Sequence, residues 1–163
     1  MNPSSNLPLL QVEPGKFLPE SNAILWFLAE GTPLLSSNPL ERAATLQWMF
    51  FEQHALEPNL GAAWFWLVLV KDGRELHCHA IEEWMDEGYL ALGVMEKHLT
   101  QQAFLADDHY SIADIALYAY THLANQCDYD LSRFPAIRDW LARVEAQPQH
   151  VAMDLQSPLL AAE

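Results

Sequence analysis

The chain has 163 residues, enough for one domain with its own core, or for one domain joined to part of another. Hydrophobic residues make up 51% of it, which excludes a disordered chain, and the formal net charge of -14 excludes nucleic acid and anionic membrane surfaces as electrostatic partners. Two cysteines, Cys78 and Cys127, make no disulfide framework and point to a reducing, cytoplasmic compartment. The polar, proline-bearing start is not a secretory signal, and the apolar run Trp64 to Val70 is far too short to span a membrane.

In chain order, Leu9 to Val12 is a short run with strand propensity, and Glu13-Pro14-Gly15-Lys16 carries turn chemistry. Phe17-Leu18 returns as a second strand, so the unit reads as a hairpin. Glu20-Ser21 leads into Ile24, Leu25 and Leu28 at helical spacing. Ser21 is expected as the N-cap, with the free N–H groups of the first turn facing outward, where they suit a carboxylate. A hairpin with one helix cannot cover both its faces, so exposed apolar surface is expected between Leu9 and Leu28.

From Asn38 onward the pattern is helical. Asn38-Pro39-Leu40-Glu41 combines an N-cap, a proline at the first helical position and an acid at the third. Leu46, Met49, Phe50 and Leu56 continue that helix, which Pro58 should end or kink. Asn59 to Val70 is nearly all apolar, which predicts that both its faces are covered, and Lys71-Asp72-Gly73 closes it. A long amphipathic helix follows, with His77, Ile81, Trp84, Gly88, Leu92, Met95 and Leu99 on one stripe and Glu82, Glu83, Asp86 and Glu87 on the solvated side. Ser111 and Asp114 are placed to form a capping box, with Tyr110 and Ile115 as its hydrophobic staple. Phe134-Pro135 opens a last helix, and Gln156 to Glu163 reads as a loose tail.

Leu7-Pro8 ahead of one strand, Glu20-Ser21 after the next, the segment Tyr110 to Tyr120, and Phe134 to Leu141 together resemble the cytosolic glutathione transferases, bacterial members most of all. Asn2-Pro3 is similar to the family's lead-in, and the resemblance runs from Asn2 to about Met153. It implies a mainly α fold: a glutathione transferase C-terminal-type helical bundle preceded by a strand–strand–helix remnant of a thioredoxin-like domain. Residues 1–31 would be a partial glutathione-binding domain and residues 32–163 the all-helical domain. Carried over by motif, Pro8 would be a cis proline and the backbone of Leu7 would face the cysteinyl part of glutathione. Glu20 would meet the ligand ammonium, and Ser21 its carboxylate.

By that resemblance the family's first two strands and its thiol-activating Tyr, Ser, Cys or Thr would lie upstream of Met1, and the chain would be an N-terminally truncated member. No residue here matches the thiol-activating position, so no catalytic residue is assigned. The reaction implied by resemblance is attack of glutathione thiolate on a small electrophile, weak or absent in this chain, with glutathione as substrate and no metal. The alternative is a non-enzymatic helical interaction module. The implied partners are glutathione and an electrophile, with no nucleic acid, no membrane and the option of a homodimer.

Three constellations invite other readings. His77-Cys78-His79 suggests a metal, but on a helix residues two apart point to different sides. Trp48, Met49, Phe50, Phe51, Trp64, Phe65 and Trp66 are expected mainly in the core; the functional alternative is the family's apolar acceptor pocket, partly lined by this helix. Glu52 and His54 are expected near that pocket as candidates for general acid–base work.

Overall fold

The computed structural model describes residues 7–106 and 108–152; the Asn2-Pro3 lead-in and the tail Gln156–Glu163 lie outside them. Strands β1 (Leu9–Glu13) and β2 (Lys16–Pro19) form an antiparallel hairpin that turns at Gly15, whose φ of 79° favours glycine. Leu9 pairs with Pro19 and Gln11 with Phe17, and an irregularity follows between Gln11 and Glu13. Leu9, Phe17, Phe27 and Leu28 are exposed, the apolar surface expected of this unit.

Helix α1 (Ser21–Ala29) starts differently from the sequence expectation. Glu20, not Ser21, holds the N-cap position, with φ 74° and ψ 118°. Its carbonyl accepts the first helical N–H, from Ile24 at 2.9 Å. The positive φ turns the chain sharply from strand to helix, so Ser21 enters as the first helical residue and caps nothing. A glutamate held in this region carries local strain, which clusters at functional sites.

Helix α2 (Pro39–Phe51) begins as predicted, with Asn38 Oδ1 accepting from the Leu40 N–H at 2.9 Å. Pro58 neither ends it nor breaks it. The chain winds instead as a π-helix over Glu52–Gly61, continues through α3 (Ala62–Trp64) and a second π turn (Phe65–Leu69), and stops at extended Val70. Wider winding shifts the hydrogen-bond register, which accommodates the missing proline N–H. Phe65, Val68 and Leu69 are exposed, so the expectation that both faces of residues 59–70 are covered fails.

Helices α4 (Gly73–Leu76) and α5 (Cys78–Leu99) follow, with Gly88, Leu92, Met95 and Leu99 on the buried stripe of α5 and Glu82, Glu83, Asp86 and Glu87 outward. Helix α6 (Ile112–Thr121) is central. Its capping box is present: Ser111 N–H and Oγ both donate to Asp114 Oδ2, at 2.9 and 3.0 Å. Tyr110 and Ile115 are half-buried against the core. Asp114 is fully buried, and its Oδ1 also accepts from the Trp140 indole at 2.9 Å and the Leu105 N–H at 3.0 Å. Burial pushes this carboxyl above its ordinary range, and the four hydrogen bonds oppose that rise. Helix α7 (Pro135–Glu145) completes the bundle, its first N–H groups accepted by the Glu96 carboxylate of α5. The core runs through Leu56, Leu60, Leu92, Met95, Leu117, Ile137 and Trp140. Among the described residues no helix is long and apolar enough to cross a membrane.

Candidate functional site

The hairpin–helix unit docks on the bundle through a few polar ties. The Asn22 side-chain amide donates to Glu52 Oε2 at 3.0 Å and to the Met49 carbonyl at 3.2 Å. Arg42 pairs with Glu30 at 3.0 Å and lies over the Trp26 ring, and the Ile112 N–H donates to the Leu34 carbonyl at 3.1 Å. Between the docked parts lies a cavity of about 450 Å³. Leu7, Pro8 and Ser21 line one side of it, Glu52, Gln53 and Glu57 come from the π-wound segment, and Ile115, Ala116, Ala119 and Tyr120 supply the α6 wall. The Leu7–Pro8 peptide bond is cis.

Three of the four sequence-assigned binding residues therefore meet in one space. Glu20 lines a neighbouring cavity of about 540 Å³ with Trp26, Leu46, Met49 and Phe50; Asn22 and Gln53 stand between the two. The Ser21 hydroxyl makes no hydrogen bond to another described residue, so it is unspent at the head of α1. Glu52 is only 4% exposed, and its carboxylate is held by Asn22 and by the Gln53 amide at 2.7 Å. Burial raises its pKa, the two amides counter that, and the nearby Glu57 adds to the rise. Burial and the same two acids also push up the Tyr120 phenol, which keeps its proton.

Other sequence candidates fall outside the cavity. His54 turns its Nδ1 to the Phe50 carbonyl at 2.7 Å and faces Phe51, so it is no acid–base partner for Glu52. The aromatic cluster divides: Trp48 and Met49 are buried, Phe50 is 67% exposed, and none of its seven members lines the 450 Å³ cavity. The apolar wall comes from Ile115, Ala116 and Ala119 of α6 instead. His77 and His79 are nearer than helical spacing allows, with ring centroids 5.5 Å apart, since His77 precedes α5 and is not helical. No third ligand joins them: among the described residues no group of three or more His, Cys, Asp or Glu could hold a metal.

Gln53, Glu57 and Tyr120 were not assigned to the site from sequence. Nothing local marks them, since Tyr120 stands about a hundred positions from Ser21 in the chain. The only hint was Pro58, a helix breaker inside an otherwise helical pattern.

A strand–strand–helix unit with a cis proline, docked beside a capping-box helix at a shared cavity, defines a glutathione-transferase-type arrangement. Residues 62–148 match the family model for the glutathione S-transferase C-terminal domain. A solved structure described as a possible glutathione S-transferase from Rhodopseudomonas palustris is 58% identical, covers 96% of this chain and 70% of its own, and superposes with a TM-score of 0.92. The disulfide-bond oxidoreductase YfcG of Escherichia coli K12 is 36% identical over 130 residues, 79% of this chain and 59% of the relative. Ure2p5 from Phanerochaete chrysosporium, cocrystallized with 1-(S-glutathionyl)-2,4-dinitrobenzene, is 26% identical over 82% of this chain and 65% of its own, at a TM-score of 0.72. The chain belongs to the glutathione S-transferase family. It spans less than two thirds of the length of the E. coli relative.

Proposed function

We propose that this chain is a glutathione S-transferase-like protein that binds glutathione in the cavity between α1 and α6 and that, as residues 1–163 alone, conjugates it to electrophiles weakly or not at all. The observation that carries this reading is the meeting of Leu7, Pro8 and Ser21 in one cavity closed by α6. The unspent Ser21 hydroxyl and the free N–H groups of the first turn suit the γ-glutamyl carboxylate. The Leu7 backbone beside the cis Pro8 suits the cysteinyl part, and the Glu20 carboxylate is the proposed partner of the ligand ammonium. Ile115, Ala116 and Ala119 offer the electrophile an apolar wall.

In the proposed reaction the glutathione thiolate forms a carbon–sulfur bond to the electrophile, and the leaving group departs with the electrons of the bond that breaks. The bound glutathionyl compound of the fungal relative is a product of that kind. Weak turnover is proposed because Leu7 is 88% exposed, which leaves the thiol end in water, where a thiolate is well solvated and poorly oriented. The hydroxyls in the described wall belong to Ser21 and Tyr120, and Ser21 is engaged with the carboxylate. The name of the E. coli relative supports thiol–disulfide exchange on the same ligand as a variant of this reading.

Residues 1–31 are proposed as the glutathione-binding part and residues 32–163 as the helical domain. A cytoplasmic setting is proposed from the free thiols Cys78 and Cys127. A second reading, a helical interaction module, draws on exposed apolar side chains: Phe50 beside the second cavity, and Leu90 and Val94 one turn apart on α5. A homodimer would use the same surface.

Calorimetry of the purified chain with glutathione and S-hexylglutathione tests the reading. Weak binding of both, lost on Ser21→Ala, is expected, with conjugation of an activated chlorobenzene near the uncatalysed rate. Absence of binding would sink the glutathione site and favour the interaction module. Turnover well above background would overturn the weak-activity proposal.

A further inference from the structure

The outer edge of β1 is open. The sheet has two strands, and among the described residues no group outside the hairpin bonds to residues 9–12. An edge strand presents a row of N–H and C=O groups facing away from its neighbour, a template for a further strand. The two edges of this sheet differ. β2 opens on the charged Lys16 and ends on Pro19, which has no N–H to give. β1 carries no charge and no proline before Glu13, and Glu13 is already paired with Lys16 at 2.7 Å.

The side chains of β1 alternate as a pairing strand requires. Leu10 and Val12 are half-buried, with Leu18 across from Leu10; Leu9, Gln11 and Glu13 are exposed, with Phe17 across from Gln11. A two-fold axis through Gln11 preserves that alternation between two copies. It sets Gln11 against the partner's Gln11, Leu10 against the partner's Val12 and Leu9 against the partner's Glu13, each pair on like faces. The irregularity between Gln11 and Glu13 keeps the paired stretch short.

Charge also favours a second copy at this edge. A net charge of -14 drives copies apart over most of the surface, yet the hairpin brings no net charge to the contact. A two-stranded hairpin is marginal in water, and four strands join the exposed Leu9 and Phe17 of both copies on one face.

We propose that two copies of this chain pair antiparallel along β1, making one four-stranded sheet across a two-fold axis. The guarded β2 edges close the sheet on both sides, so association stops at a dimer. This contact is separate from the exposed side chains of α2 and α5.

Sedimentation equilibrium of the 163-residue chain, from micromolar to millimolar concentration, should show the apparent mass doubling. Leu9→Glu sets like charges together twice across the axis and should weaken the dimer about tenfold, whereas Leu9→Lys, against the partner's Glu13, should not weaken it. Leu90→Glu, on α5, should leave the association unchanged. Cross-linking reads the register without relying on stability. In a Cys78→Ser background, Gln11→Cys should give a disulfide between copies under mild oxidation. Glu13→Cys, about 14 Å from its counterpart, should not. A chain that stays monomeric at millimolar concentration overturns the proposal. So do oligomers larger than a dimer, a dimer indifferent to Leu9→Glu or lost on Leu90→Glu, and cross-linking of Glu13→Cys in place of Gln11→Cys.

Discussion

The Asn22 side chain donates to the Glu52 carboxylate across 3.0 Å, thirty residues away in sequence, and so fastens the first turn of α1 to the π-wound segment of the bundle. The bond sits beside Ser21 and inside the wall of the candidate cavity, so one contact joins docking of the hairpin–helix unit to the shape of the site. It also keeps a carboxylate where water hardly reaches.

That burial gives stability a definite dependence on pH. The folded Glu52 holds its proton above the ordinary carboxyl value of 4.5, because burial disfavours its charged form more than the two amides restore it. The unfolded chain gives up that proton first as pH rises. Glu52 therefore contributes most to stability below 4.5, and the contribution is lost as pH climbs through the raised folded value. In Glu52→Gln the amide oxygen can still accept from Asn22, and nothing there titrates. Thermal melts from pH 4.5 upward should show a steeper decline for the native chain than for the variant. Equal slopes would mean that Glu52 titrates normally in the folded protein.

Asp114 carries more than its helix cap. Besides the two bonds from Ser111, it receives the Trp140 indole of α7 and the Leu105 N–H of the preceding loop. Asp114→Ala leaves several buried donors without an acceptor, and the expected loss is about 3 kcal/mol, beyond that of a simple cap. Trp140→Phe removes just one of those donors, so it should cost less than Asp114→Ala. Urea unfolding of both variants measures this, and a loss under about 1 kcal/mol for Asp114→Ala would show that water readily replaces the carboxylate.

The difference between Asp114 and Tyr120 shows what could be read from sequence. The caps at Asn38 and Ser111 are local: donor, acceptor and spacing lie within four residues, so residue order alone defines them. The hairpin is legible for the same reason. Residue order alone places the first cap one residue too late, at Ser21, because the cap depends on a positive φ at Glu20, a conformation no glutamate advertises. The cavity wall was the least legible part. Glu57 and Tyr120 come together through the register shift of a π-helix around Pro58, and a proline in a helical pattern says only that the ladder changes. The outward rings of Phe50 and Phe65 were misjudged because hydrophobicity reports what can be buried, and says nothing about whether a partner surface lies alongside.

Gly88 provides a test of the packing that supports α5. Tyr129 reaches across the middle of that helix and donates its hydroxyl to the Trp84 carbonyl at 2.6 Å. A Cβ on residue 88 would stand 2.2 Å from that hydroxyl oxygen and 2.6 Å from the ring carbons Cε1 and Cζ. The phenol is almost fully buried, so it has little room to withdraw. Ordinarily Gly to Ala in a helix is favourable by up to about 1 kcal/mol, since alanine is the better helix former. Here the overlap should reverse the sign, breaking the bond to Trp84 and costing about 1–3 kcal/mol. Taking away the hydroxyl relieves only part of the overlap: in a Tyr129→Phe background Gly88→Ala should cost less but stay unfavourable, because the ring carbons still stand 2.6 Å from the new Cβ. Denaturant unfolding of the single and double variants gives the coupling between the two positions. Additive losses would mean that α5 shifts away from residue 129 as a rigid body, and that the tight fit at Gly88 does not hold the helix in place.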